Sequence, residues 1–410
     1  MKKVLLLGSN IGSREMVEYI HQRGDYAIVS DFYSRELSEA KQEADESWDI
    51  STLDMDELER KCRENHIQAV LASTGEQNLE SAIWLAERGN LPFYVNRKTW
   101  EILNDKKRFK DLCRRYGLPV PEDYTQENLP GEQEFPVVIK PADNCANRGL
   151  SVCRTPGEAA IACKKAYQFS PSGRIIIEKF IQGNQINIFY HMADGKIALS
   201  DVMESLVNPG CPPSCYAVTV SRKRYLDMFL EQYRDQAEKM LRELGCRNGT
   251  AILQAMTDGE NLYFLEINYR LDGLGFFNTL KDDCGIDAVK IITDISIDGK
   301  TDFSPVESAK EDGISCIYTL WTHKSCTVQG IEGIEKIRET VEGIHLQVMC
   351  RKGMKIEVPE GGGVLLLSFS FRRKDAGEIG QVIKYINDAV RVKDTFDNDV
   401  LEKFYSLEEI

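Results

Sequence analysis

The chain has 410 residues, more than one compact core usually takes, so two or three domains are expected. Its 51 Lys and Arg against 65 Asp and Glu leave a net charge of −14, which excludes a general binder of nucleic-acid phosphates. At 42% hydrophobic and 28% charged residues, the composition is that of a folded chain with small-molecule ligands, not a disordered one.

The longest apolar stretches, residues 4–7 and 364–367, are strand-sized and far short of the roughly 20 residues that a bilayer requires, so no membrane partner is expected. The N-terminal apolar run stops at Gly8, too short for a secretory signal. Twelve cysteines are scattered without a CxxC pair, which suits reduced thiols in a cytoplasm. Cys211 and Cys215 are the closest pair, and no second ligand pair at zinc spacing follows them.

The first hundred residues alternate strand and helix. Residues 4–7 are a continuous apolar run, as a parallel strand buried on both faces should be. Gly8-Ser9-Asn10-Ile11-Gly12 makes a turn, and 14–22 has helical spacing in Met16, Val17 and Ile20. A strand at 26–30, a helix at 53–65, a strand at 69–72 and a helix at 78–88 follow. This βαβ succession predicts a doubly wound parallel sheet. The turn lacks GxGxxG spacing, so it does not predict a dinucleotide site.

A basic helix is expected over 99–116, closed by Gly117-Leu118-Pro119-Val120-Pro121. Strands follow at 136–140, 150–154, 174–180, 185–191 and 197–203, with turn dipeptides at Asp194-Gly195 and Asp258-Gly259. One amphipathic helix is expected over 225–244, then an antiparallel pair at 251–256 and 262–268. From residue 301, strands at 315–320, 344–350 and 363–371 and a helix over 376–392 read as a smaller α+β cap. Three domains are expected: 1–98, 99–300 and 301–410.

The chemistry-bearing residues lie between 105 and 275. Asp105-Lys106 opens a helix, and Lys140 ends the strand Pro136-Val137-Val138-Ile139 and precedes Pro141. Lys106 alone reads as one of a solvated basic run with Lys107, Arg108 and Lys110. Lys140 is more telling, because an apolar strand has little structural reason to end in a lysine. Glu178-Lys179-Phe180-Ile181 ends another strand, and Gln185 stands two residues past Gly183. Glu266 and Asn268, two apart on a strand, face one side, and Gln254 on the preceding strand can lie opposite them. One carboxylate and two amide oxygens suit Mg²⁺, which takes few protein ligands. Arg270 continues that face with a planar fork suited to a carboxylate or acyl-phosphate. His191 shares a strand face with Gln185, Asn187 and Phe189, and a buried core histidine is its plainer reading.

In this order the motifs resemble the ATP-grasp superfamily, in the branch with carbamoyl-phosphate synthase, biotin carboxylase and the L-amino-acid ligases. Each motif alone is weak; five in order are specific. The resemblance covers 105–298. It implies an α/β and α+β fold, with a parallel-sheet domain before the ATP-grasp domain and an α+β cap after it. Lys106 and Lys140 would bind the phosphates of ATP as point charges on separate elements. The hinge Glu178, Lys179, Phe180 and Ile181 would hold adenine, with Glu178 accepting from its amino group, and Gln185 would accept from the ribose. Gln254, Glu266 and Asn268 would hold two Mg²⁺, or Mn²⁺, while Lys140 and Arg270 act in catalysis. The loop 142–149, where the family has a glycine- and serine-rich cover, keeps only Gly149 of that composition. Arg148 in it is a further candidate phosphate contact.

The implied activity is an ATP-dependent ligase joining a small-molecule carboxylate to an amine through an acyl-phosphate, amino acids being candidate substrates and ADP and phosphate the products. A cytoplasmic homodimer is the expected assembly. The segment 204–216 is expected to line the acceptor pocket. Two alternatives stand beside this: a bicarbonate-activating carboxylase, and an ATP-binding protein without turnover.

Overall fold

A computed structural model describes residues 1–143, 149–209, 211, 215–308, 312–359 and 362–409. The N-terminal part runs β1 (Lys3–Leu7), α1 (Ser13–Gln22), β2 (Tyr26–Ser30), α2 (Glu39–Glu43), β3 (Glu46–Trp48), α3 (Met55–Glu64), β4 (Ala69–Ala72) and α4 (Glu76–Gly89). Its four strands are parallel, in the order β3-β2-β1-β4. Val4–Leu7 and Ala69–Ala72 are wholly buried, as the unbroken apolar runs require.

The expected basic helix over 99–116 is two helices, α5 (Arg97–Leu103) and α6 (Lys106–Arg115). Asp105 causes the break: its carboxylate accepts from the N–H groups of Lys107 and Arg108 and starts a new helix. A four-stranded sheet follows, of β5 (Asp123–Tyr124), β6 (Val137–Pro141), β7 (Ser151–Cys153) and, after α7 (Pro156–Gln168), β8 (Ile175–Lys179), in the order β5-β8-β6-β7. The sequence pattern did not predict α7. Its buried stripe is Ala159, Ala162, Cys163 and Ala166, too small to register as an apolar period.

The second large unit is an eight-stranded sheet. Its first members are β9 (Gln185–Ala193), β10 (Lys196–Val207) and β11 (Tyr216–Ser221), followed by α8 (Lys223–Gln232) and α9 (Arg234–Glu243). These two replace the single helix expected over 225–244, broken at Tyr233. Then come β12 (Gly249–Thr257), β13 (Leu262–Asn268), α10 (Phe276–Cys284) and α11 (Ala288–Asp298). The C-terminal part adds β14 (Ile314–Thr322), β15 (Cys326–Glu332), α12 (Ile334–Thr340), β16 (His345–Val348), β17 (Lys355–Ile356), β18 (Val364–Arg373), α13 (Ala376–Ala389) and β19 (Arg391–Asp394).

The sheet order β13-β12-β9-β10-β11-β14-β18-β16 carries the C-terminal strands onto the central ones through the β11–β14 pair. Alternation along β9 decides what each face does. Ile186, Ile188, Tyr190 and Met192 join the main apolar core with Phe229 and Tyr233 of the α8–α9 layer. Gln185, Asn187, Phe189 and His191 line the other face, where Phe189 meets Phe276 of α10. The polar end of that face is the place to look for chemistry. Among the described residues no helix is long and apolar enough to cross a membrane, and no disulfide joins the described cysteines.

Candidate functional site

Helix α6 presents Lys106 and Lys110 four residues apart, hence on one face. Lys106 Nζ lies 2.9 Å from Glu266 Oε2 on β13, in the large sheet. Lys110 Nζ lies 2.8 Å from Glu178 Oε2 on β8, in the small sheet, and also pairs with Asp123. Lys140, at the end of β6, pairs with the other oxygen of Glu178. Burial works to raise the Glu178 pKa, but the attraction of Lys140 and Lys110 outweighs it and leaves the carboxyl below its ordinary range. The carboxylate of Glu178 is thus already paired within the protein. Both of its oxygens are occupied by lysines, so it balances buried cations instead of standing open to an adenine amino group.

The rest of the hinge follows from the same strand end. Lys179 is exposed, Phe180 partly buried and Ile181 buried. The Lys179 N–H donates to the Glu122 carbonyl at 2.9 Å, so it is not open to a ligand. The expected cover at 144–148, with Arg148, lies outside the described residues, although Gly149 and Asp143 at its ends are described.

Across the site, Gln254 stands directly opposite Glu266 in the β12–β13 register, and Asn187 of β9 stands opposite Gln254. The structure therefore brings Gln254, Glu266 and Asn268 onto one face at the sheet edge. Gln254 Nε2 donates to Asn187 Oδ1 at 3.2 Å, which leaves the Gln254 oxygen as an acceptor toward the site. Asn268 Oδ1 accepts from Arg270 Nη2 at 3.2 Å. Arg270 Nη2 is also 3.3 Å from Glu76 Oε1 at the start of α4, and its Nε is buried with no hydrogen-bond partner among the described residues. Burial raises the Glu266 pKa, but Lys106, then Lys140 and Arg270, overcome this and hold it below its ordinary range. All three predicted cations thus act on one carboxylate.

This oxygen-only set fits a hard divalent cation completed by phosphate and water oxygens. It contains a single acid. Consistently, the described residues include no group of three or more His, Cys, Asp or Glu that could hold a metal.

Gln185 departs from expectation. Its Nε2 donates to Asn187 Oδ1 at 2.8 Å and its Oε1 accepts from Tyr216 Oη at 2.5 Å, so both ends of the amide are used within the protein. Asn187 Nδ2 continues to Ser205 Oγ at 2.9 Å. A ribose contact from Gln185 would require this buried chain to open. Tyr216, Asn187, Lys110 and Glu76 were not singled out as site residues from sequence. Only Asn187 carried a signal, its place on the Gln185 face. The expected pocket segment 204–216 is partly strand: Glu204 is held by Arg222 at 2.8 Å and Asn184 at 3.0 Å, and residues 210 and 212–214 lie outside the described residues. His191 is a core residue. Its Nδ1 lies 2.6 Å from Ser200 Oγ and its Nε2 accepts from the Val306 N–H at 3.2 Å, and burial lowers its pKa to about 4.

Residues 103–274 match the family model described as an ATP-grasp domain. The chain thus carries an ATP-grasp domain over these residues. Over a longer stretch, the sequence is 25% identical over 298 residues to the carbamoyl phosphate synthase large chain of Clostridium acetobutylicum, covering 66% of this chain and 28% of that one. It thus spans little more than a quarter of that curated relative. The fold is similar to the L-amino acid ligase of Bacillus licheniformis, with a TM-score of 0.74 and 17% identity over 96% of this chain and 98% of that one. It is also similar to the biotin carboxylase domain of the Hydrogenobacter thermophilus 2-oxoglutarate carboxylase, solved with MgADP and bicarbonate. There the TM-score is 0.78, at 17% identity over 96% and 92% of the two chains. The ATP-grasp fold, with its parallel-sheet unit ahead and α+β segment behind, is the one expected.

Proposed function

We propose that this ATP-grasp chain is an ATP-dependent carboxylate–amine ligase working through an acyl-phosphate. The observation that carries the reading is the convergence of Lys106, Lys140 and Arg270 on Glu266, beside the oxygens of Gln254 and Asn268. ATP brings about four negative charges, and a carboxylate must approach its γ-phosphate against them. Lys106 and Lys140 reach that place from a helix and a strand end, as phosphate-binding point charges. Mg²⁺ on Glu266, Gln254 and Asn268 would supply further charge neutralisation at the phosphates. Arg270 lies past Asn268, where its fork can hold the acyl group, and its buried unpaired Nε is one donor available to it.

In this proposal adenine sits at the Lys179–Ile181 hinge, and Glu178 fixes Lys140 instead of touching the base. Two metal ions, Mn²⁺ as a substitute and a homodimeric assembly belong to the same proposal. Bicarbonate as the carboxylate is the second reading, supported by the similarity to carbamoyl phosphate synthase. Assaying ADP, AMP and phosphate release with Mg-ATP over amino acids, small acids and bicarbonate tests both. The ligase reading expects ADP and phosphate to appear only when a carboxylate and an amine are supplied together at useful rates. Bicarbonate-dependent turnover without any other carboxylate overturns it in favour of the second reading, and AMP formation overturns both.

A further inference from the structure

The register of the small sheet puts two acids face to face. In the antiparallel pair β5–β8, Asp123 stands directly opposite Glu178. Like charges in that position repel, and Glu178 is buried, with 4% of its side chain exposed. Lys140 lies on the next strand, two residues past Val138, which is the residue opposite Glu178. Residues two apart share a face, so Asp123, Glu178 and Lys140 form a strip across β5, β8 and β6.

Helix α6 supplies cations to that strip. Lys110 Nζ pairs with both acids, and Arg114, four residues on, pairs with Asp123. Arg114 also lies 2.9 Å from Asp111, which lies 3.2 Å from Lys107. The charges therefore alternate in one row: Lys107, Asp111, Arg114, Asp123, Lys110, Glu178, Lys140. Four cations meet three acids, a surplus of one positive charge. One end of the row is Lys107, exposed to solvent. The other is Lys140, whose charge also acts on Glu266 across the site.

Lys106 and Arg270 act on Glu266, whereas Lys110 pairs with the small sheet. Lys110 is almost wholly buried, and its effect falls on Lys140. A buried carboxylate with a single cation holds that cation tightly, because its departure leaves an uncompensated charge. A carboxylate with two cations can give one up. With Lys110 in place, Lys140 can leave Glu178 for a phosphate while Glu178 keeps a counter-charge.

We propose that Lys110 is a positioning residue for the nucleotide: it holds Glu178 and Asp123, and so releases Lys140 to the phosphates of ATP. The proposal rests on the reading of Lys140 as a phosphate ligand, which the same experiment tests separately. Mg-ADP is titrated calorimetrically into the full chain, with no turnover needed. Lys110→Met leaves Lys140 for Glu178 and Arg114 for Asp123, so each acid keeps a cation. The Mg-ADP Kd should nevertheless rise at least about tenfold, because Lys140 is then held in place. Lys110→Arg, which can bridge both acids, should stay within about threefold of wild type. Adding Glu178→Gln to Lys110→Met removes the acid that captures Lys140 and should recover most of the lost affinity, where a structural defect would be made worse. Asp123→Asn, at a partly exposed position, leaves Lys110 to Glu178 and should bind Mg-ADP at least as tightly as wild type. Lys110→Met within about twofold of wild type, about tenfold weaker binding in Asp123→Asn, or a double variant weaker than Lys110→Met alone overturns the inference. Should Lys140→Met weaken binding while Lys110→Met does not, the inference alone falls. Should Lys140→Met itself leave the Kd within about twofold of wild type, the phosphate reading of Lys140 falls, and the inference with it.

Discussion

The two sides of the site use charge differently. On the small sheet, Glu178 is buried between Lys140 and Lys110, with side-chain exposures of 4%, 11% and 2%. On the large sheet, Glu266 keeps 30% of its side chain exposed, and the lysine beside it, Lys106, keeps 21%. A buried carboxylate between two ammonium groups is costly to take apart, because removing it leaves Lys140 without a counter-charge. A partly exposed pair exchanges partners at little cost. The small-sheet cluster therefore sets the position of Lys140, while the large-sheet pair is the one proposed to admit a cation and phosphate. Helix α6 contributes a lysine to each, and so ties the two sheets together.

The sharpest way to break this contrast is to remove the buried carboxylate. Glu178→Gln should destabilise the protein by about 3–5 kcal/mol, read as a lowered denaturation midpoint, since buried Lys140 loses its counter-charge and Lys110 keeps only Asp123. A loss below about 1 kcal/mol would place the cluster in the same class as an exposed pair. Stability against pH gives the next effect. The Glu178 pKa is lowered, so its contribution is complete above the ordinary carboxylate range and disappears as pH falls through the folded value. His191 adds an earlier window. Its folded pKa is about 4 against 6.5, so stability should fall from pH 6.5 toward 4, by on the order of 3 kcal/mol in total. His191→Gln should flatten that part of the melting-temperature profile.

On the large sheet the expected effects are on rate. Glu266→Gln keeps the shape but removes the one acid of the proposed metal set, and should lower turnover at least about a hundredfold with little change in metal-free nucleotide affinity. Wild-type turnover in that variant would contradict the assignment of the exposed side. Arg270→Lys keeps the charge and loses the fork, and should cost roughly tenfold in kcat while ATP affinity stays near wild type.

Much of this was legible before the fold was known, for identifiable reasons. Period-2 alternation puts Glu266 and Asn268 on one face, and the Asp258-Gly259 turn places Gln254 opposite, as the β12–β13 register shows. Apolar runs at 4–7 and 69–72 gave the parallel strands. The partners that Glu178 and Gln185 take within the protein were not legible, because they are distant in sequence: Lys110 is 68 residues from Glu178, and Tyr216 is 31 from Gln185. Helices α10 and α11 and strand β11 were missed, and the C-terminal strands, expected as a separate cap, join the central sheet by the nonlocal β11–β14 pair.

The central claim is that the γ-phosphoryl group passes to a carboxylate beside Glu266 and Arg270. The direct test labels both oxygens of the accepted carboxylate with ¹⁸O, runs the reaction with Mg-ATP and the amine, and weighs the products. Attack of the carboxylate on phosphorus, followed by displacement of phosphate by the amine, must leave one labelled oxygen in the released phosphate. Label in AMP, with pyrophosphate released, would contradict the acyl-phosphate route.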